Sequence, residues 1–298
     1  MGSYWLAHTG TQMVYTKLTP RFTLDARVEE IGEIGRGFAY RLSIPAGLAQ
    51  KYRLAQLDDY TNVSRSRFPL RFPLSLKLSA RVSNNSIPGT WGFGLWNDPF
   101  GLSLGFGGNP FRLPALPNAL WFFSASKESY LSFKDASTAP PTNGSSSQRE
   151  AANGFIAQTF RSPKFHPLLI LAGLALPFSR KLTRRLLGKA INEDAIQLWS
   201  PTVHHLDVQE QVPAFQSQSV DPTQWHRYRL EWREGRVGFE VDNVQVFESR
   251  VSPRPPLGLV IWLDNQYAAF TPEGKIGFGV LENSEPTWLE IKELEVGD

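Results

Sequence analysis

Two short polar clusters in this 298-residue chain hold the residue types from which a ligand site can be made. Trp96-Asn97-Asp98 closes a glycine-rich run, and Asp264-Asn265-Gln266-Tyr267 closes the apolar run Leu257 to Leu263. In the second run Val260, Trp262 and Asp264 share parity, so a strand there places a carboxylate in line with an indole. That pairing suits a sugar, whose apolar face stacks on the ring while the carboxylate takes a hydroxyl. The alternative for each cluster is a turn that ends its strand through side-chain to backbone bonds. Asp58-Asp59-Tyr60 is a third acidic pair. Adjacent strand residues point to opposite faces, so its two carboxylates make no dyad, and either one meets Asp98 or Asp264 only across a sheet.

Other chemistries lack their residues. The five histidines (8, 166, 204, 205, 226) show no ligand spacing, and adjacent His204 and His205 would face opposite ways in a strand. With no Cys there is neither a disulfide framework nor a thiolate metal site. Gly105-Phe106-Gly107-Gly108 has the glycines of a phosphate loop without its Lys or its strand-loop-helix setting. No Ser-centred nucleophile elbow is present. Lys and Arg (31) nearly balance Asp and Glu (28), which argues against a nucleic-acid footprint over the whole surface. The reading therefore carries no metal, no cofactor and no nucleic-acid partner.

The elements that must position these residues are strands. In Trp225 to Arg233, His226, Tyr228, Leu230 and Trp232 share one parity and Arg227, Arg229, Glu231 and Arg233 the other, the period of a half-buried strand. Asp242-Asn243 lies between two further alternating runs, where a tight hairpin needs residues that tolerate positive φ. Residues 74–82 alternate as cleanly, with Leu74, Leu76, Leu78, Ala80 and Val82 inward. Strands are also expected at 90–96, 119–125, 236–242, 244–250, 257–264, 275–281 and 287–295, with shorter β-like runs between 12 and 56. Nine Trp exceed what a core requires, and most are expected in sheet cores, the surplus on a ligand-stacking surface.

Two segments break the pattern. Residues 136–153 are small and polar and cannot bury enough surface to offset their ordering entropy, so they read as a mobile loop. Around 160–198 a helical insertion is expected. Its apolar run Leu168 to Leu176, with Leu168, Leu169, Leu171 and Leu174, is half the length of a membrane span. Arg180, Lys181, Arg184 and Arg185 then interleave with leucines at helical spacing. Such a helix either covers an edge of the sandwich, lies on an anionic membrane surface, or forms a lid over a ligand.

Three motifs together resemble the concanavalin A-like jelly roll of glycoside hydrolase family 16. They are Gly89-Thr90-Trp91 with Trp96, the hairpin Trp225 to Val241, and the closing pair of an apolar strand (Leu257 to Leu263) and Trp288 to Ile291. The resemblance implies one all-β domain over 1–298, a two-sheet antiparallel sandwich with the loop and the insertion inside it. It also implies a Glu-x-Asp-x-x-Glu strand shortly after the Trp strand, serving a retaining mechanism. The matching stretch, Ala119-Leu120-Trp121-Phe122-Phe123-Ser124-Ala125, has no carboxylate. That family's reaction is not expected at its usual place.

The expectation is a carbohydrate-binding, lectin-like protein whose aromatic groove uses Trp91, Trp96, Asn97, Asp98, Trp121, Asp264, Asn265, Gln266 and Tyr267. A second reading has the groove bind an apolar small molecule or lipid under the insertion. A third is an enzyme with relocated carboxylates, Asp98 and Asp264. The start, Met1-Gly2-Ser3-Tyr4-Trp5, lacks the basic-then-apolar pattern of a secretory leader. The expected location is the cytoplasm, peripheral at a membrane if the insertion lies on one.

Overall fold

The alternating segments become strands in a computed structural model that describes residues 18–23, 25–32, 39–99, 115–131, 154–163, 191–199, 220–270 and 276–298. In chain order they are β1 (Thr19–Phe22), β2 (Arg27–Glu30), β3 (Ala39–Ile44), β4 (Leu54–Asp58), β5 (Leu74–Val82) and β6 (Thr90–Trp96). Next come β7 (Ala119–Ala125), β8 (Tyr130–Leu131), β9 (Gly154–Arg161), β10 (Asn192–Trp199), β11 (His226–Arg233) and β12 (Arg236–Val241). The last five are β13 (Val244–Ser249), β14 (Gly258–Asp264), β15 (Gln266–Phe270), β16 (Ile276–Val280) and β17 (Thr287–Gly297).

Two seven-stranded antiparallel sheets run β1-β4-β14-β6-β7-β9-β10 and β13-β12-β11-β5-β17-β3-β2. A small third sheet, β16-β15-β8, joins the end of β14. The chain crosses between the large sheets at β3 to β4, at β4 to β5 and at β5 to β6. Sequence neighbours thus stack across the sandwich, as in a jelly roll. All-β, two-sheet jelly-roll architecture is what the sequence predicts.

The core lies where the two inner faces meet. Leu74, Leu76 and Leu78 of β5 and Tyr228, Leu230 and Trp232 of β11 pack against Phe93, Phe122, Phe155 and Ile261 of the first sheet. Trp232 is fully buried, meets Phe72 edge-on at 5.4 Å, and donates its indole N–H to the carbonyl of Pro253 at 3.1 Å. Outside, the second sheet is charged. Buried Glu290 accepts from Arg41 and from Arg81 at 2.8 Å each, and Arg81 stands 4.8 Å over Trp225. Two guanidinium partners make that buried carboxylate tolerable.

The hairpin turn expected at Asp242-Asn243 is present. Val241 pairs with Val244, and the two residues between have φ of 50° and 65°. Asp242 also accepts from His226 at 2.6 Å and from the Arg227 amide at 2.8 Å, which locks β11 to the turn. Left-handed backbone costs an ordinary residue about 1–2 kcal/mol. Asn243→Val is therefore expected to lose roughly that much in urea unfolding, whereas Asn243→Gly is neutral or better.

The insertion expected over 160–198 is corrected at both ends. Residues 154–161 and 192–199 are strands, β9 and β10, and they pair with each other from Asn192↔Arg161 to Trp199↔Phe155. Glu193, Asp194, Ala195 and Gln197 have no strong strand preference of their own. The open edge of β9 offers a hydrogen-bonding ladder that outweighs so weak a local tendency. The residues expected to face a membrane or form a lid (Leu168, Leu169, Leu171, Leu174, Arg180, Lys181, Arg184, Arg185) lie outside the described residues, as does 136–153. Among the described residues no helix is long and apolar enough to cross a membrane.

Candidate functional site

The outer face of the first sheet is not the polar surface that a half-buried sheet usually shows. Its central strands β14, β6 and β7 are buried at every position, on both faces. Register puts Trp262 opposite Gly92, Trp121 opposite Gly94, and Trp96 opposite Gly258. Glycine at 92 and 94 opens a trough over β6 into which the neighbouring rings lean. A Cβ at Gly94 would lie 2.4 Å from the Leu120 carbonyl and 2.6 Å from Trp121, and one at Gly92 2.8 Å from the Trp262 ring.

Three indoles converge there. Trp96 and Trp262 are parallel with centroids 6.0 Å apart, and Trp121 stands 6.1 Å from the first and 5.8 Å from the second. Phe123, Phe160 and Tyr60 extend the layer, at 5.6 Å and 5.7 Å from Trp121 and 6.1 Å from Trp96 respectively. The three indoles are 4 to 9% exposed. The layer is closed.

Polar side chains bound it on three sides. At one end Trp262 donates to Thr90 Oγ1 (3.0 Å), and Thr90 donates to Asp264 Oδ1 (2.8 Å). Tyr52 reaches the other oxygen of Asp264 at 3.4 Å. Burial pushes the Asp264 carboxyl up to about 7, partly offset by the Thr90 hydroxyl, and burial with the Asp264 charge raises Tyr52. Towards β10, Trp121 donates to Gln158 Oε1 (3.1 Å) and Gln158 donates to Glu193 (2.9 Å). Towards β4, fully buried Asp58 accepts from Gln56 (2.8 Å), the Thr61 amide (2.7 Å) and the Thr61 hydroxyl (2.6 Å). Burial also raises Tyr60, and raises Asp59, whose Oδ2 is enclosed without a hydrogen-bond partner.

The structure sorts the residues singled out from the sequence. Trp96, Trp121 and Asp264 share this layer. Trp91 does not: it faces the inter-sheet core, 3% exposed, stacked on Phe155 at 4.9 Å. Asn97 ties its strand end to residues 116–118, donating to the Leu116 carbonyl (2.9 Å) and accepting from the Asn118 amide (3.1 Å). Asp98 has φ 48°, and Arg65 binds its carbonyl, so the first cluster does make a turn. Asn265 is fully buried and donates to the carbonyls of Lys51 (3.1 Å) and Leu281 (2.9 Å) while accepting from the Arg53 amide (2.8 Å). Gln266 gives its amide to Asp264 at 3.2 Å, and the Tyr267 ring stands over Gly279.

The two carboxylates offered as a catalytic pair are not brought together. Trp96 pairs with Gly258 and Thr90 with Asp264, so Asp98 and Asp264 lie at opposite ends of β14, about 20 Å apart along the strand. Members of the layer outside the nine residues assigned to the groove from the sequence include Trp262, Thr90, Tyr52, Gln56, Gln158 and Glu193. For Trp262 the signal was its shared parity with Asp264. For Gln158 there was none, because β9 is buried on both faces and its sequence shows no alternation. Among the described residues no three of His, Asp and Glu converge in a way that could hold a metal ion.

No protein-family model matches the chain, and no curated protein does. Solved structures of similar shape include LamAcat from Zobellia galactanivorans, 13% identical over 87% of this chain and 80% of that one, TM-score 0.40. A glycoside hydrolase family 16 endo-glucanase from Bacteroides ovatus is 11% identical over 93% and 94%, TM-score 0.41. Botulinum neurotoxin type C, whose cell entry depends on two ganglioside molecules, is 5% identical over 99% of this chain and 47% of its own, TM-score 0.39. Likeness at this level carries no argument about activity, and the fold rests on the strand order described above.

Proposed function

We propose that this chain is a saccharide-binding jelly roll that does not hydrolyse its ligand. The observation that carries the reading is the outer face of the first sheet, where Trp96, Trp121 and Trp262 converge between hydrogen-bonded polar groups. Indoles stack the apolar face of a pyranose, and buried amides, hydroxyls and carboxyls at the borders take its hydroxyls. Hydrolysis by two carboxylates needs them about 5–5.5 Å or 6.5–9.5 Å apart. On this face β7 turns out Ala119, Trp121, Phe123 and Ala125. Asp58 pairs with Val260, four residues from Asp264, about 13 Å along the strand. In this reading the face supplies a stacking platform, and Asp264 stands too far from Asp58 and from Asp98 to form such a pair with either. Opening of the closed layer is part of the reading, since a sugar reaches the rings only then.

Titration with neutral β-linked glucose oligosaccharides is expected to change tryptophan emission in the wild type. Trp121→Ala, checked for folding by circular dichroism, is expected to lose at least tenfold in affinity, and no reducing sugar is released. Unchanged emission together with a silent glycan array would sink the proposal. A specific observation favours a second reading, an apolar ligand: the closed layer is built largely of aromatic and aliphatic side chains. Under it, a fatty acid rather than a saccharide quenches the same tryptophans. Vesicle pelleting that depends on residues 166–190 would extend that reading to a membrane surface.

A further inference from the structure

Where the start of β10 meets the end of β13, the sandwich edge holds a cavity of about 300 Å³ lined by Arg161, Ile191, Asn192, Glu193, Arg250 and Val251. It is built, not accidental. Asn192 pairs with Arg161 across the ladder, Ser249 donates to Asp194 at 2.7 Å, and Thr159 donates to the Val251 carbonyl at 2.8 Å, so the β9–β10 pair is fastened to the segment that carries Arg250. Glu193, 7% exposed, is the last member of the Trp121–Gln158–Glu193 chain and connects this cavity to the aromatic layer.

The two arginines are in an unusual position for this molecule. On the outer face of the second sheet Arg41, Arg81, Arg229, Arg233 and Arg236 each meet a glutamate. Among the described residues, the guanidinium groups of Arg161 and Arg250 meet no carboxylate and no hydrogen-bond acceptor. Glu193 is the one acidic side chain among the described residues that line the cavity, and it is already engaged by Gln158. Two uncommitted planar forks beside one cavity present the geometry that binds carboxylate or sulfate oxygens in pairs. The volume lies at the small end of the range for small-molecule sites, about 300–1,000 Å³.

We propose that this cavity receives the anionic group of an acidic saccharide, a uronate carboxylate or a sugar sulfate. Arg161 and Arg250 bind the anion, and Asn192 with Glu193 takes neighbouring hydroxyls. The proposal rests on the saccharide reading above and names its ligand class.

The test is calorimetric titration of the full chain at low salt with four probes: a neutral glucose oligosaccharide, its glucuronate-terminated and sulfated counterparts, and sodium sulfate. At least one acidic oligosaccharide is expected to bind tenfold or more tightly than the neutral one, and the tighter of the two identifies the anion. Arg250→Ala, at an exposed position, and Arg161→Gln are each expected to erase that preference while neutral binding persists and the melting curve holds. Equal affinity for neutral and acidic oligosaccharides, or an acidic preference that survives the double substitution, overturns the assignment and leaves the saccharide reading standing. Sodium sulfate binding as tightly as the sulfated sugar also overturns it, because the cavity is then an anion site with no saccharide recognition. Absence of binding by every oligosaccharide overturns both readings.

Discussion

Asp264→Asn is expected to be more stable than the wild type above pH 7 and nearly equal to it near pH 4. The buried carboxyl titrates at about 7 in the folded protein, against an ordinary value of 3.8. Its folded form therefore binds a proton more tightly than its unfolded form, and wild-type stability falls as pH rises from about 4 through 7. At 1.36 kcal/mol for each unit, the full penalty above pH 7 is about 4 kcal/mol. Asn copies the shape of the protonated acid, can still accept from Thr90, and has no charge to bury. Asp59, also raised by burial, titrates in the same direction. It is present in both proteins and cancels in the comparison. Urea unfolding of the pair from pH 4 to 8.5 reads the difference, and a gap that stays constant over that range would contradict the burial of Asp264.

The second large effect concerns the trough over β6. Gly94→Ala is expected to destabilise the protein by about 3 kcal/mol, or roughly 5 °C in melting temperature for a chain of this length. Its Cβ would meet the Leu120 carbonyl at 2.4 Å and the Cα of Trp121 at 2.6 Å, and both belong to a neighbouring central strand that cannot move aside. Gly238→Ala is the control. There the nearest atom to the added Cβ is 3.7 Å away, so the substitution is expected to gain about 0.5–1 kcal/mol through reduced freedom of the unfolded chain. Near-ultraviolet circular dichroism adds a second readout. Gly94→Ala should flatten the tryptophan signal of the converging rings and Gly238→Ala should leave it alone. Similar melting shifts for the two variants would show that the trough tolerates a methyl group.

Legibility in the sequence followed burial. Strands of the second sheet have one core face and one charged face, so β5 and β11 alternate visibly, and their boundaries and inward residues are where the pattern puts them. The Asp242-Asn243 turn was legible for a local reason, the positive φ that its two residues tolerate. In the first sheet the central strands are buried on both sides, and aromatic residues occupy both parities. Trp91 and Trp96 look alike in sequence, yet one faces the core and the other the outer layer. β10 misled for the opposite reason: its local preference is weak, and the partner that makes it a strand is 31 to 44 residues away, from Asn192↔Arg161 to Trp199↔Phe155.

What the sequence by itself determined is the β class, the strands of the charged-face sheet, the tight turn, and the lack of any carboxylate between residues 119 and 125. Tertiary structure alone decided that Trp262 joins Trp96 and Trp121, that Gln158 links Trp121 to Glu193, that Asp98 and Asp264 stay apart, and that Arg161 and Arg250 share a cavity. Periodicity is a property of one strand and can be read from its own residues. Register is set by packing between strands far apart in the chain, and it is register that brings these side chains together.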